Sequence, residues 1–476
     1  MPLPVILIDS TTGSDTAASG AGPSIALSGT TNANTDATGL IVTLPAGTVL
    51  TGVSTAGDHV IFLNDSTAGS RNFGKITATA GSGGATPTAT VADAFGLSLA
   101  GKSWAIGGRR ATLAGTNSIK LITNNSAAGD AMPGWTIELQ SGHTETIAAS
   151  LVFRRTGDKT NGPITLRGAI GASTIPILTF SNNGSAIASA SSITSINIGD
   201  ATAGPNLELR NSNATKTASV GVAPSGGLWT IEGLIITASG ANRFWAGITL
   251  TNQLGTIDRC QIGNCAGIGV TLASAIRSVM RGCRVFNNAG AGVNLPANGS
   301  FEVRKNLIYG NGGDGINFGA STNTSSTTIS DNTIYGNSGD GVEIAGTTST
   351  AGMNVLMISN NQIVANTGYG LNFSGASMSM VGLSGCSPVI DFNNNYSNGS
   401  GQCNLSGWID QNGPNADPGF VNAGSGDFRI SSSQQTLGFD TANLPGAGYR
   451  SNADIGAWQH AGGTGVAQMS RVFTGQ

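Results

Sequence analysis

The sequence carries little charge: Asp, Glu, Lys and Arg make up 10% of its 476 residues, and the net charge is −3. It has no basic run that would neutralise several phosphates, which removes the electrostatic case for nucleic acid. No apolar stretch approaches the ~20 residues that span a bilayer, so membrane insertion is not expected. Aromatics are only 5%, and stretches rich in Glu, Lys and Leu are scarce, which argues against a helical protein. The five cysteines (Cys260, Cys265, Cys283, Cys386 and Cys403) include no CxxC pair, so no zinc site is expected. The three histidines, His59, His143 and His460, are far apart and in no metal-binding spacing. The opening "MPLPVILIDSTTGSD" lacks a basic n-region and has a short apolar run, which predicts a protein outside the ordinary secretory route.

What the sequence has in abundance is glycine, 72 residues of it, without the third-position period of collagen. β-Branched residues set among Gly and Asn read as short strands and tight turns. The phrase "KNLIYGNGGDGINF" (305–318) returns as "DNTIYGNSGDGVEI" (331–344), with eight of fourteen letters identical. Both belong to a series in which Gly precedes an apolar–polar–apolar triplet. The glycines are Gly247, Gly269, Gly292, Gly315, Gly341 and Gly370, spaced by 22, 23, 23, 26 and 29 residues.

Three more columns keep register with these glycines. One is aliphatic: Ile262, Val285, Ile308, Ile334 and Ile363. A second reads Cys265, Asn288, Asn311, Asn337 and Asn366, and a third Cys260, Cys283, Asn306, Asn332 and Asn361. A repeat of 22–29 residues with two or three strands in each predicts a β-solenoid. Stacked coils pair each strand with the coil above and below, and alternation turns the apolar members of each triplet inward. The asparagines at 288, 311, 337 and 366 then fall at a corner, where stacked amides can bond one another in a structural ladder. Cys260 and Cys283 are expected to stack as small buried groups. The longer repeats imply loops at "GASTNTSSTT" and "AGTTSTAGMN".

The pattern resembles the right-handed parallel β-helix superfamily of pectate-lyase-like proteins and phage tailspikes, over roughly residues 130–460. "WTIELQSGHTETI" and "GPITLRG" look like early coils, while "NADPGFVNAGSGDFRI" and "NADIGAWQ" look like a closing segment. The resemblance implies an all-β fold but spans many functions. Residues 1–110 read differently, as about six short strands of a small β-sandwich or barrel that caps the helix or docks onto a partner. The expected division is therefore 1–110, 111–460 and a C-terminal tail at 461–476.

Asp314 and Asp340 hold the same repeat position, and Glu343 lies near them on an outward-facing strand. Paired carboxylates suit glycoside hydrolysis. They could also hold Ca²⁺, as the resemblance to pectate lyases implies. The bland alternative, Asp–Gly turn chemistry, is favoured. Equivalent positions hold Ile268, Ala291 and Tyr369, so no acidic groove continues. The outward column Thr249, Thr271, Asn294, Asn317, Glu343, Asn372 is neutral apart from one acid, and Arg281, Arg304 and Lys305 are expected on a solvated edge elsewhere. The polygalacturonase residue set is missing: neither Asp-Asp nor Gly-His-Gly occurs. Phe286, Tyr309 and Tyr335 form an aromatic column, open either to ring stacking with a sugar or to stacking on one another, the latter favoured. Cys386 and Cys403 flank a loop-like stretch and are a candidate disulfide.

These features favour a non-enzymatic bacteriophage virion protein: a surface β-helix serving as capsid decoration, tail spike or fibre component. It would contact other virion proteins through the N-terminal region and host glycans through the coils. A homo-oligomer is expected, a trimer by analogy with tailspikes. The alternatives are a polysaccharide lyase or hydrolase, and a bacterial surface adhesin.

Overall fold

The computed structural model describes residues 5–8, 10, 26–30, 40–53, 59–63, 73–92, 103–107, 109–110, 113, 133–154, 157, 162–190, 195–214, 218–238, 241–251, 253–272, 277–296, 299–319, 325–345, 353–374, 389–404, 413, 415–430, 438–439 and 449–450. The expected tail at 461–476, Cys386 and the tips of both longer loops lie outside them. The chain forms two compact units: Met1–Asp200 with Asn206–Leu209, and Ala201–Pro205 with Arg210–Gln476.

The first unit holds both parallel coils and an antiparallel sheet. Val5–Ile8 pairs in parallel with Thr136–Leu139 on one side and Arg109–Arg110 on the other. Ile164–Gly168 and Ile196–Gly199 extend that sheet. Thr144–Ile147 pairs with Ile177–Phe180, and Leu151–Phe153 with Ser185–Ser189, giving the second and third strands of a coil. The expected separate unit over 1–110 is corrected here. The first strand belongs to the coils, and the antiparallel sheet is inserted between Ile8 and Arg109. That sheet has six strands, in the order Ala26–Thr30, Ser103–Gly107, Val60–Leu63, Phe73–Ala80, Thr88–Val91, Ile41–Thr43. It buries Val42, Leu44, Leu50, Ile61, Ile76, Trp104 and Ile106. Phe73–Ala80 is shared: its first residues pair with Val60–Leu63 and its last residues, across a register shift, pair with Thr88–Val91, so the two halves of the sheet enclose one core.

The second unit is a stack of three-stranded coils. First strands run from Gly227–Glu232 through Gln253–Asp258, Ser278–Arg281, Phe301–Arg304, Ser325–Ser330 and Met353–Ser359 to Val389–Asp391. Second strands run from Leu234–Ala238 through Gln261–Gly263, Arg284–Phe286, Leu307–Tyr309, Thr333–Tyr335 and Gln362–Val364 to Asn394–Tyr396. Third strands run from Val220–Ala223 through Ala246–Thr249, Val270–Thr271, Val293–Leu295, Ile316–Phe318, Val342–Ile344 and Tyr369–Phe373 to Gly401–Cys403. Each pairs in parallel with its counterpart one coil on.

The register follows the sequence columns. Ile248, Val270, Val293, Ile316, Val342 and Leu371 are successive partners, and all are buried. So are Ile262, Val285, Ile308, Ile334 and Ile363. Each such side chain contributes roughly 1.5–3 kcal/mol on burial. Fixing the backbone costs about 1–2 kcal/mol per residue, so a coil is stable only in a stack.

Both corners use one left-handed residue followed by one inward residue. Arg259, Gly282, Lys305, Asp331, Asn360 and Phe392 turn the first corner, at φ between 50° and 62°. Asn264, Asn287, Gly310, Gly336, Ala365 and Ser397 turn the second, at φ between 52° and 65°. Behind the second corner, the side-chain amides of Asn288, Asn311 and Asn337 each donate to the next ladder oxygen at 2.9 Å, and Asn366 donates to Asn398 at 3.0 Å. Behind the first corner, Asn306, Asn332 and Asn361 repeat the arrangement, ending on Asn393. Cys260 and Cys283 begin this column, both buried, with the Cys260 N–H 3.4 Å from Cys283 Sγ.

Candidate functional site

The polar face of the third-strand sheet carries the candidate acids. Asp314 and Asp340 directly precede the glycines that lead into the strands Ile316–Phe318 and Val342–Ile344. In-register stacking places them one coil apart. Asp314 Oδ1 accepts the backbone N–H of Asp340 at 2.8 Å, and Asp340 Oδ1 accepts that of Tyr369 at 2.6 Å. Each aspartate thus caps the corner of the following coil. The glycine before each capped residue leaves room for the carboxylate: a Cβ on Gly339 would lie 2.2 Å from Asp314 Oδ1, and one on Gly368 would lie 2.1 Å from Asp340 Oδ1.

The second oxygens face outward, toward amides. Asn317 Nδ2 donates to Asp314 Oδ2 and to Glu343 Oε2, both at 3.1 Å. Asn372 Nδ2 donates to Asp340 Oδ2 at 2.7 Å. One oxygen each from Asp314, Asp340 and Glu343 lies within 4.8 Å of the others, and all three residues are half-buried. Burial raises the Glu343 carboxyl above its ordinary value. The Ser374 hydroxyl opposes that shift, and the Asp314 hydrogen bond with the charges of Asp314 and Asp340 adds to it.

An all-oxygen donor set of this kind suits a hard divalent cation. One oxygen of each aspartate, however, already accepts a backbone N–H, and the Asn317 amide holds the position between Asp314 and Glu343. A cation bridging those two carboxylates would require Asn317 to turn its oxygen toward it. The orientation of such an amide follows from the hydrogen-bond network, which here favours the amide bridge.

Tyr309 and Tyr335 stand on the outer face of the second-strand sheet, away from the acids. Phe286 and Tyr309 stack, with ring centroids 5.5 Å apart and planes 12° apart. Arg284 lies over both rings, at 5.5 and 5.6 Å from the centroids, and donates to the Tyr309 hydroxyl. Tyr309 and Tyr335, which the sequence left open to a sugar or to stacking on one another, pack against rings from later in the chain. Phe428 packs against Tyr309 at 4.9 Å and Tyr335 at 5.3 Å, and Phe420 packs against Tyr335 at 5.9 Å. Phe428 itself is fully buried.

Sequence reasoning missed Phe420 and Phe428, which lie outside the repeats, and Arg284, whose register partners Gln261 and Leu307 carry no charge. It quoted Asn317 and Asn372 as polar-column members without seeing them as partners of the acids. Of the edge residues, Arg281 pairs with Asp258 at 3.0 Å and Arg304 with Glu302 at 2.8 Å on the first-strand sheet. Cys403 is half-buried on the last third strand, while its proposed partner Cys386 lies outside the described residues.

Residues 178–384 match the family model described as right handed beta helix region. Among solved structures, pectate lyase Pel9A is 14% identical, with 69% of this chain and 88% of that one covered at a TM-score of 0.44. The A-module of mannuronan C-5 epimerase AlgE4 from Azotobacter vinelandii is also 14% identical, covering 57% and 87% at a TM-score of 0.34. The catalytic domain of a GH87 alpha-1,3-glucanase is 11% identical, covering 78% and 89% at a TM-score of 0.29. No curated relative matches the chain by sequence. The strands stack as a parallel β-helix, as the repeats led one to expect, and the matched region is of the right-handed class that the resemblance implied.

Proposed function

We propose that the chain is a non-enzymatic structural component of a bacteriophage particle, a surface-exposed β-helix that decorates a capsid or forms part of a tail spike or fibre. One observation carries the non-enzymatic part: Asp314 and Asp340 each commit an oxygen to capping the next coil. Their outward oxygens are engaged as well, accepting the Asn317 and Asn372 amides, so neither aspartate presents a free carboxylate edge to a substrate. Support also comes from the rest of the outward column, where Thr249, Thr271, Asn294, Asn317 and Asn372 offer hydrogen bonds and no base. On this reading the inserted antiparallel sheet contacts other virion proteins, the coils meet host glycans weakly, and the protein assembles as a homo-oligomer, a trimer by analogy. Mass spectrometry of purified phage particles tests it. The chain at a stoichiometric copy number supports the reading, and the chain confined to the host cell envelope overturns it.

A second reading, a carbohydrate-active enzyme, draws on the three carboxylates within 4.8 Å and the raised Glu343 carboxyl, which is suited to donate a proton. It predicts cleavage of some polysaccharide, with or without Ca²⁺, that Glu343→Gln abolishes. A broad panel left uncut removes it.

A further inference from the structure

The segment 415–430 leaves the last described coil and runs back along the outside of the second-strand sheet. At one end Asn394 and Ala416 exchange two hydrogen bonds: Asn394 Nδ2 donates to the Ala416 carbonyl at 2.7 Å, and the Ala416 N–H donates to Asn394 Oδ1 at 2.9 Å. Asn394 Nδ2 also donates to Gln362 Oε1 at 2.7 Å, one coil back. Two coils before Asn394, Phe420 meets Tyr335. One coil further, Phe428 meets Tyr309 and packs with Leu307. The far end closes under Arg284: a Cβ on Gly426 would lie 2.9 Å from both Arg284 Nη2 and Tyr309 Oη. The two strands, Phe420–Asn422 and Asp427–Ile430, pair antiparallel as a small hairpin.

The last coil of a solenoid has a stacking neighbour on one side only, so it is where fraying begins. A segment fastened to the last described coil and to coils two and three places earlier opposes this, because that coil cannot leave while both ends hold. We propose that residues 415–430 are a strap that locks the C-terminal coils, anchored by Phe428 in the aromatic pocket and by Ala416 on Asn394. The strap acts as one unit: loosening the Phe428 end releases the Ala416 end, and Asn394–Cys403 then opens although Phe428 does not touch it. The strap also sets Phe420 and Phe428 in cis against Tyr309 and Tyr335, where a sugar ring would otherwise pack.

Hydrogen exchange with mass spectrometry on the full chain tests the lock. Phe428→Ala should speed exchange of the 394–396 and 401–403 amides by about tenfold or more, while 246–263, at the other end of the stack, keeps its wild-type protection. Val421→Ala, at an exposed position of the same hairpin, should change neither region. If Phe428→Ala accelerates exchange only in 307–309, 333–335 and 420–430, the hairpin is local packing and the proposal fails. If Phe428→Ala does not yield folded protein, Phe428→Leu, which retains much of the buried area, carries the same comparison. Faster exchange at 394–403 than in wild type supports the strap, and unchanged exchange there overturns it.

Discussion

Asp314 and Asp340, counterparts one coil apart, are joined through a hydrogen bond in which the Asp340 backbone N–H donates to Asp314 Oδ1 at 2.8 Å. The contact passes up the stack, since Asp340 in turn accepts the N–H of Tyr369. The duplicated Gly-Asp-Gly phrase is therefore a corner device that each of these two coils offers to the next.

Replacing Asp340 with Ala leaves the Tyr369 N–H and the Asn372 amide without their acceptor. Hydrogen bonds to a charged group contribute about 1.5–3 kcal/mol each, so a loss of roughly 1–3 kcal/mol is expected, allowing for water reaching this half-buried corner. Asp340→Asn keeps one acceptor oxygen and should lose less. Urea unfolding of both variants checks the order, and an Ala variant as stable as wild type contradicts the capping role.

Gly339→Ala should destabilise more than an ordinary surface substitution, because its Cβ would overlap Asp314 Oδ1. Combining it with Asp314→Ala should give a double variant more stable than the sum of the two losses predicts. Relief is partial, since the Asp314 backbone nitrogen also lies within 2.9 Å of that Cβ position. Strict additivity in the double-mutant cycle contradicts this close approach.

Asn337 sits mid-ladder, bonded to Asn311, Asn366 and the Ile308 carbonyl, and is fully buried. Asn337→Ala strands several buried partners, at about 1–3 kcal/mol each, so a total loss of roughly 2–4 kcal/mol is expected. Asn398→Ala, at the half-buried end of the same ladder, should cost less. Equal losses at the two positions would argue against stacked amides as the source of stability.

The pH dependence has a definite sign. Burial, with the Asp314 hydrogen bond and the charges of Asp314 and Asp340, raises the Glu343 carboxyl in the folded protein. The folded state therefore holds this proton more tightly than the unfolded chain. Its stabilising contribution is complete below the ordinary glutamate range, about pH 4, and is lost as pH rises through the raised value. Glu343→Gln stays neutral throughout. Its urea midpoint relative to wild type should therefore increase as pH rises from about 4 to 7, and a gap independent of pH contradicts the shift.

The coil columns were legible because they repeat. Gly, Ile and Asn recur in register, and stacking turns that spacing into vertical contact. Non-glycine residues such as Arg259, Lys305 and Phe392 adopt left-handed backbone at the same corners as Gly282, and residue type gave no sign of it. The placement of Val5–Ile8 was hidden because its partner Thr136–Leu139 lies beyond an inserted sheet. The strap was hidden for a related reason: Phe420 and Phe428 occur once, outside the period, and meet coils about a hundred residues earlier. At the acids, position could be read from the repeat, but the amide partners could not, since hydrogen-bond direction depends on side-chain geometry.

The most direct test of the account measures unfolding and polysaccharide cleavage on the same two proteins, wild type and Asp340→Ala. If these aspartates are corner caps in a non-enzymatic β-helix, wild type leaves every polysaccharide intact with and without Ca²⁺, and Asp340→Ala unfolds at lower urea. Wild-type cleavage that is lost in an Asp340→Ala protein of unchanged stability would contradict it.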